Sequence, residues 1–524
     1  MAGDDVRDDL AEVLERQRLT RDEARPEAIE RRRERGGRTA RENLADLVDE
    51  GSFVEYGSLA IAAQRMRRPQ DELIHRTPAD GLIAGTARVN TALHGPEGSA
   101  CAVLSYDYTV LAGTQGATGH RKKDRLFELI ERMRLPTVLF AEGGGGRPGD
   151  TDYAVVSALD TRAFALWARL SGVVPRIAVV AGRCFAGNAV LAGSSDLVVA
   201  TETTALGMGG PAMIEGGGLG TFEPDAIGPI SVQTANGVVD VRVADERAAV
   251  QQAQRLVSYF QGSLPDWTAP DSAALRDLVP ERRRRAYDVR AVVEALADEG
   301  TATILREEFA RGMVTALVRI EGRAVGVIAN NPLHLAGAIT SEGADKAARF
   351  MQLCDAFGLP ILSLVDTPGM MVGPDAEATG LVRHTSRLFT VGASLRVPFV
   401  ALILRKAYGL GAQAMAGGSL HEPLLTVGWP TAELGAMGLE GAVKLGFRRE
   451  LEAIADEAER AQRLEAMVVH AHDHAKALNA ATLFELDDVI DPADSRRVIA
   501  ATFAAADRGP SWRERPPVRM VDNW

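Results

Sequence analysis

Only three cysteines occur in 524 residues, Cys101, Cys184 and Cys354. They lie far apart with no C-x-x-C pair, which excludes a cysteine-rich zinc ribbon, argues against a disulfide framework and leaves them as core thiols. Long apolar runs are missing too. None reaches the ~18 residues of a membrane-crossing helix, and the opening MAGDDVRDDL is acidic, so neither a span nor a signal peptide is expected. The expected location is the cytoplasm. No H-E-x-x-H, G-x-x-x-x-G-K-[ST] or G-x-S-x-G occurs, which leaves a metal centre, a phosphate loop of that type and an elbow nucleophile without support. Positive charge is the minority, with 59 Lys and Arg against 71 Asp and Glu for a net −12. That balance speaks against a nucleic-acid role, while a local basic pocket stays open.

What is present is a composition of 46% apolar and 25% charged residues, with length for two or three full cores. The chain also repeats itself. Leu111-Ala112-Gly113, Leu135-Pro136, Glu142 and Gly145 recur as Leu335-Ala336-Gly337, Leu359-Pro360, Asp366 and Gly369, each at an offset of 224 residues. Val174-Pro175 returns as Val397-Pro398, and Arg183 to Gly187 as Arg405 to Gly409. Two copies of one domain are implied, each running an apolar strand into a Gly-rich turn.

Residues 1–37 read as a charged helical lead whose mixed signs suit a solvated or partner-packing helix. An N-terminal domain is expected over 38–273, a C-terminal domain over 274–507 and a polar tail over 508–524. Apolar, β-branched runs at Ala102–Tyr106, Thr137–Phe140, Ile177–Val180 and Leu197–Val199 predict strands. Arg121–Arg134 places Leu126, Phe127, Leu129, Ile130 and Met133 at helical spacing, and Gly343–Phe357 is its second copy. Alternating strands and helices predict an α/β fold with part-parallel sheets.

Three turns could carry chemistry, one of them, Asp366-Thr367-Pro368-Gly369, as the second copy of the glycine run in which Pro removes a donor and the turn shapes a wall. Glu142-Gly143-Gly144-Gly145-Gly146-Arg147 follows a strand and precedes a helical pattern; its glycines would let N–H groups approach an anion, helped by a helix N-terminus. Arg405-Lys406-Ala407-Tyr408-Gly409-Leu410-Gly411-Ala412-Gln413 follows another strand, with two cations beside Gly409 and Gly411. Gly187, in the first-copy counterpart, reads equally as close helix–strand packing. The basic cluster around His120 and Lys123 reads either as a phosphate site or as a solvated first turn. Gly144-x-Gly146-x-x-Gly149 formally matches a dinucleotide fingerprint, weakened by Pro148 and the surplus glycines.

A larger set of motifs gathers around these turns: LVDEGSFVE at Leu47–Glu55, Ala79-Asp80-Gly81-Leu82-Ile83-Ala84-Gly85, the glycine run, Ala329-Asn330-Asn331-Pro332, Val365-Asp366-Thr367-Pro368-Gly369, Arg405–Gly409 and Trp429-Pro430-Thr431-Ala432-Glu433. Together, from about Arg38 to Asp507, they resemble the carboxyltransferase subunit or domain of biotin-dependent acyl-CoA carboxylases, the propionyl-, acetyl- and methylcrotonyl-CoA group.

That resemblance implies two tandem crotonase-like domains. It implies acyl-CoA bound mainly by the N-terminal domain, and carboxybiotin, carried on another polypeptide, arriving against the C-terminal one. Family members assemble as dimers or hexamers, with sites shared between subunits. Carboxyl transfer needs an enolate oxygen held on the CoA side and a negative oxygen held on the biotin side, and backbone N–H pairs serve both. Carried over residue by residue, Gly144 and Gly145 are the N-domain pair, flanked by Gly143, Gly146, Arg147, Gly187 and Lys123 as substrate-binding positions. Leu410 and Gly411 are the C-domain pair if the loop aligns without a gap, Gly411 and Ala412 with one. Tyr408, Gly409 and Gln413 flank that pair, and no metal is implied. No Met-Lys-Met biotinylation site occurs in the sequence, so a carrier and a biotin carboxylase are the implied partners. The competing readings are biotin-dependent acyl-CoA decarboxylation, an NAD-dependent oxidoreductase and a noncatalytic assembly subunit.

Overall fold

The structure, a computed structural model, describes residues 6–153, 156–506, 509 and 511–524. The chain divides into two compact units, Met1–Gly262 with Pro517–Asn523, and Ser263–Pro516 with Trp524. In unit 1, β1 (Val54–Glu55), β2 (Leu82–Arg88), β3 (Ala100–Tyr106), β4 (Thr137–Phe140), β5 (Arg176–Val180), β7 (Leu197–Thr201) and β9 (Val241–Val243) form one sheet in that order. The first two pairings are antiparallel and the others parallel. Two short strands, β6 (Arg183–Phe185) and β8 (Ala205–Gly207), pair separately.

Unit 2 repeats the plan. Its sheet runs β10 (Thr303–Leu305), β11 (Met313–Ile320), β12 (Arg323–Asn330), β13 (Ile361–Thr367), β14 (Phe399–Tyr408), β15 (Leu425–Gly428) and β17 (Asp488–Val489), with β16 (Glu433–Gly435) added beside β14. Again two antiparallel pairings precede the parallel ones. The likeness reaches single residues: Leu111 and Ala112 have φ of 50° and 54°, and their copies Leu335 and Ala336 have 49° and 54°. Connections differ where the first copy is longer, at 56–81 against 306–312 and at 89–99 against 321–322. This is the α/β fold of two duplicated domains that the repeat implied, and solved crotonase-like relatives share it.

Central strands β4, β5 and β13 are buried on both faces, as parallel strands under helices must be. Their apolar runs are therefore continuous instead of alternating. The helix Ala117–Met133 buries Leu126, Phe127, Leu129 and Ile130, while Met133 lies exposed just before Arg134 ends the helix in the left-handed region. Its copy, Ser341–Phe357, is buried nearly all round and starts where the Thr340 hydroxyl accepts from Gly343 N–H at 3.1 Å. All three cysteines are free and buried. The lead forms two main helices, of which Asp8–Arg18 buries nothing and Pro26–Glu34 buries Ile29. Near the chain's end Val521 is buried and donates its N–H to Ser171 Oγ at 3.1 Å.

Candidate active-site loops

In unit 1 the chain leaves β4 through Ala141 and Glu142 into the four glycines. Gly143 N–H donates to Arg183 O at 2.8 Å and Phe185 N–H donates back to Gly143 O at 3.0 Å, so β6 fixes the start of the run. Gln115 N–H donates to Gly145 O at 2.7 Å, and Arg147 N–H donates to Gln115 O at 3.0 Å. Gly143 and Gly145 have φ of 140° and 87°, where side chains are strained. A Cβ on Gly145 would stand 2.7 Å from Ala186 Cβ, beside Gly187. The amides divide unequally. Gly144 N–H reaches Ala112 O at 3.3 Å, whereas Gly145 and Gly146 N–H donate to nothing among the described residues. Buried Gly145 thus leaves a donor open, which proteins rarely do without a ligand or water to take it.

Among the described residues, no helix N-terminus stands directly behind this run. The next helix starts only at Ala163, because Pro148 and Gly149 end the turn in open chain, so these donors act as bare peptide dipoles. Gly144, Gly146 and Pro148 therefore do not open a helix as a dinucleotide fingerprint requires. Arg147 is occupied: its guanidinium donates to Asp80 Oδ1 at 2.5 Å and to Thr114 O at 2.9 Å, fully inside the protein.

The basic cluster divides: Arg121 and Arg125 are exposed, while Lys122 and Lys123 turn inward. Lys122 Nζ donates to Ala79 O at 3.0 Å, and Lys123 Nζ, 1% exposed, donates to Gln115 Oε1 at 2.6 Å. Gln115 Nε2 then donates to Asn188 Oδ1 at 2.8 Å, and Asn188 Nδ2 donates to the carbonyls of Glu142 at 2.9 Å and Gly113 at 3.2 Å. Burial pushes Lys123 down to about 7. The relay ends on the peptide that opens the glycine run. Gly187 belongs beside it, since a Cβ there would stand 2.9 Å from Phe164 and 3.1 Å from Gln115 Nε2.

In unit 2, β14 ends at Tyr408 and the helix Gly409–Met415 begins at once. Gly409 turns the chain with φ 56°. Leu410 and Gly411 sit in the first turn, where N–H groups have no intrahelical acceptor, and neither donates to anything among the described residues. Gly411 is buried against the Asp366–Gly369 turn; a Cβ would meet Gly369 Cα at 2.6 Å. Leu410 is 62% exposed, Ala412 is buried and Gln413 exposed. Beneath the loop, Asp366 is fully buried and accepts from Arg405 Nε at 3.0 Å and Tyr287 OH at 2.9 Å. Lys406 Nζ donates to Ala336 O at 2.9 Å.

Both units thus present glycine-lined backbone donors at the C-terminal ends of parallel strands. Residues 31–518 match the family described as the carboxyl transferase domain. The chain belongs to this family. It is 32% identical over 494 residues to the 12S subunit of methylmalonyl-CoA carboxyltransferase from Propionibacterium freudenreichii subsp. shermanii, covering 91% of this chain and 90% of that one. It is also 32% identical over 507 residues to the β4 subunit of a biotin-dependent long chain acyl-coenzyme A carboxylase from Mycobacterium tuberculosis, covering 94% and 92%. Among solved structures, a single-chain, multi-domain long-chain acyl-CoA carboxylase matches at 56% identity and TM-score 0.91. That match covers 95% of this chain and 49% of the other, so this chain spans about half of that enzyme. The 12S transcarboxylase crystal structure, a hexamer with methylmalonyl-CoA bound, matches at 28% identity and TM-score 0.83, covering 99% and 98%.

The protein is a carboxyltransferase of the biotin-dependent acyl-CoA carboxylases, a family that uses a CoA thioester and carboxybiotin. Its residues fit that chemistry: the open donors at Gly145, Gly146, Leu410 and Gly411 suit negative oxygens, and side chains at 145 or 411 would close the space. One residue of this carboxyltransferase escaped the motifs. Arg32, in the lead, donates to both oxygens of Glu142 at 2.6 and 2.9 Å and to Glu246 at 3.3 Å. The duplicated acids hint at it. Asp366 is paired by Arg405, yet Arg183, the copy of Arg405, pairs with exposed Asp225 instead, leaving Glu142 in need of another cation.

Proposed function

We propose that this carboxyltransferase moves a carboxyl group onto the α carbon of a long-chain acyl-CoA, with the open amides of Gly145 and Gly146, positioned by Gly144 on Ala112 O, and those of Leu410 and Gly411 as its two sets of backbone donors. The observation that carries this reading is the pair of buried glycines, Gly145 and Gly411, whose N–H groups have no acceptor among the described residues. Carboxybiotin supplies the carboxyl group. The protein's own part is to hold a negative oxygen at each donor set, where one lost donor costs about 2.7–4 kcal/mol of barrier. Of the two alignments of the second loop, the ungapped one is preferred, because Leu410 and Gly411 are the first-turn amides left open.

We assign 38–273 to the acyl-CoA side and 274–507 to the carboxybiotin side, with 1–37 as lead and 508–524 as tail. Within the first, Gly143, Gly187 and Lys123 shape the donor turn and Arg147 anchors its exit; within the second, Tyr408, Gly409, Ala412 and Gln413 shape the loop. The working partners are a biotin carboxylase and a biotin carrier, and the assembly is a homohexamer like that of the 12S relative. Three free cysteines suit the reducing cytoplasm. Long-chain preference rests on the 56% identity to the long-chain enzyme, well above that to the methylmalonyl-CoA enzyme. Steady-state rates on acetyl-, propionyl- and palmitoyl-CoA test it: kcat/KM is expected to be highest for palmitoyl-CoA, and a maximum at propionyl-CoA would overturn the assignment.

A further inference from the structure

We infer that Glu433 is a positioning residue for carboxyl transfer: it clasps Tyr408 and thereby holds the amides of Leu410 and Gly411 toward their ligand. The inference rests on the proposed role of that loop. Glu433 is 5% exposed, in the Trp429–Glu433 motif that no step above uses. Its Oε1 accepts from Tyr408 OH at 2.6 Å, and its Oε2 lies 2.8 Å from His472 Nδ1 and 3.4 Å from Arg283 Nε. The carboxylate can only accept, so His472 carries its proton on Nδ1. Burial, then the bond to Glu433, pushes the Tyr408 phenol well above its usual range and keeps it a donor.

Three elements meet on this one carboxylate. β16 brings Glu433 beside β14 in parallel register, opposite Lys406. The helix Glu457–His474 brings His472, and the segment before Tyr287 brings Arg283. Directly after the clasped tyrosine, Gly409 takes φ 56° with its Cβ position 2.9 Å from Ala436 O. The turn therefore depends on its flanks for its geometry. Tyr408 is the flank that precedes both open donors.

The duplication supplies a control. Ala186 stands in the first copy where Tyr408 stands in the second, and Cys184 faces Leu206 where Lys406 faces Glu433. The fold closes in unit 1 without a buried carboxylate at this place, so nothing in the shared architecture demands one. Burying a carboxylate is costly unless it is paired. Its presence at this register position only in the second copy points to a task of that loop.

The test uses the full chain, free carboxybiotin and saturating acyl-CoA. Glu433→Ala and Tyr408→Phe are each expected to lower kcat roughly 10–100-fold, with KM for acyl-CoA within about threefold of wild type. The double variant should be no worse than the poorer single one, because both break one clasp. Glu433→Gln, which keeps an acceptor for the tyrosine hydroxyl, should recover most of the loss. Multiplying losses in the double variant, or Glu433→Ala at wild-type kcat, would overturn the inference. Deuterium exchange at 409–415 reads the clasp without turnover: Glu433→Ala should accelerate it at least about tenfold. Unchanged exchange sinks the clasp, whereas accelerated exchange in a chain that transfers no carboxyl group sinks only the functional reading of the loop.

Discussion

Leu410 turns its side chain to solvent and offers the proposed site only its amide, so its identity matters less than its nitrogen. Leu410→Ala should leave kcat within about twofold, since the donor stays. Leu410→Pro removes the donor at a first-turn position that proline tolerates. It should lower kcat on the order of 10²–10³-fold with little change in melting temperature, and steady-state kinetics beside a thermal melt checks both. Equal kcat in the two variants would show that this amide holds no reacting oxygen. Lys123 gives a separate prediction. Burial holds its folded-state pKa at about 7, far below that of an unfolded lysine. Between about pH 7 and 10 the unfolded chain binds a proton that the folded chain does not, so this lysine's contribution to stability is present at high pH and lost as pH falls toward 7. Relative to Lys123→Met, the wild type should gain melting temperature as pH rises from 7 to 10. A constant difference would contradict a neutral buried lysine.

At the scale of elements, the lead helix Pro26–Glu34 is tied into unit 1 by Arg25 on Asp107 at 2.9 Å and by Arg32 on Glu142. Burial pushes Glu142 up to about 7 even against Arg32, so losing the arginine leaves a poorly solvated acid. Arg32→Met should cost about 3–5 kcal/mol in denaturant unfolding, the range for breaking a buried pair, and should weaken the glycine run that Glu142 opens. A cost below about 1 kcal/mol would mean that the pair is effectively at the surface. This element shows where reading the sequence stops. The helix Ala117–Met133 was legible because buried side chains recur at helical spacing, and Ser341–Phe357, buried nearly all round, was legible as its second copy. Arg32 was not, because its partner lies 110 residues away and no local pattern marks it. The glycine run was legible as a donor loop, but the open amides depend on where the left-handed Ala112 sends its carbonyl. Charge alone misled around Lys122 and Lys123, which turn inward to Ala79 O, 43 residues away, and to Gln115 Oε1 on the turn just before the helix.

For the whole molecule, duplication supplies two like units and later change gives them different tools. Unit 1 braces its turn with the Lys123, Gln115 and Asn188 relay, while unit 2 braces its loop with Asp366, Arg405 and Glu433. The repeat itself could be read from residue identities at a nearly fixed offset, and with it two like α/β units, whereas the order of strands within each sheet could not. Acyl preference could not, since no residue type near Gln413 encodes chain length. The central claim is that these loops together carry a carboxyl group to an acyl-CoA. The most direct measurement gives the purified full-length protein carboxybiotin with an isotopically labelled carboxyl group and palmitoyl-CoA, and follows the label. The account predicts an acid-stable 2-carboxyacyl-CoA formed in the wild type and reduced on the order of 10²-fold or more in Leu410→Pro. Folded protein that passes no label to palmitoyl-CoA or to any shorter acyl-CoA would contradict it.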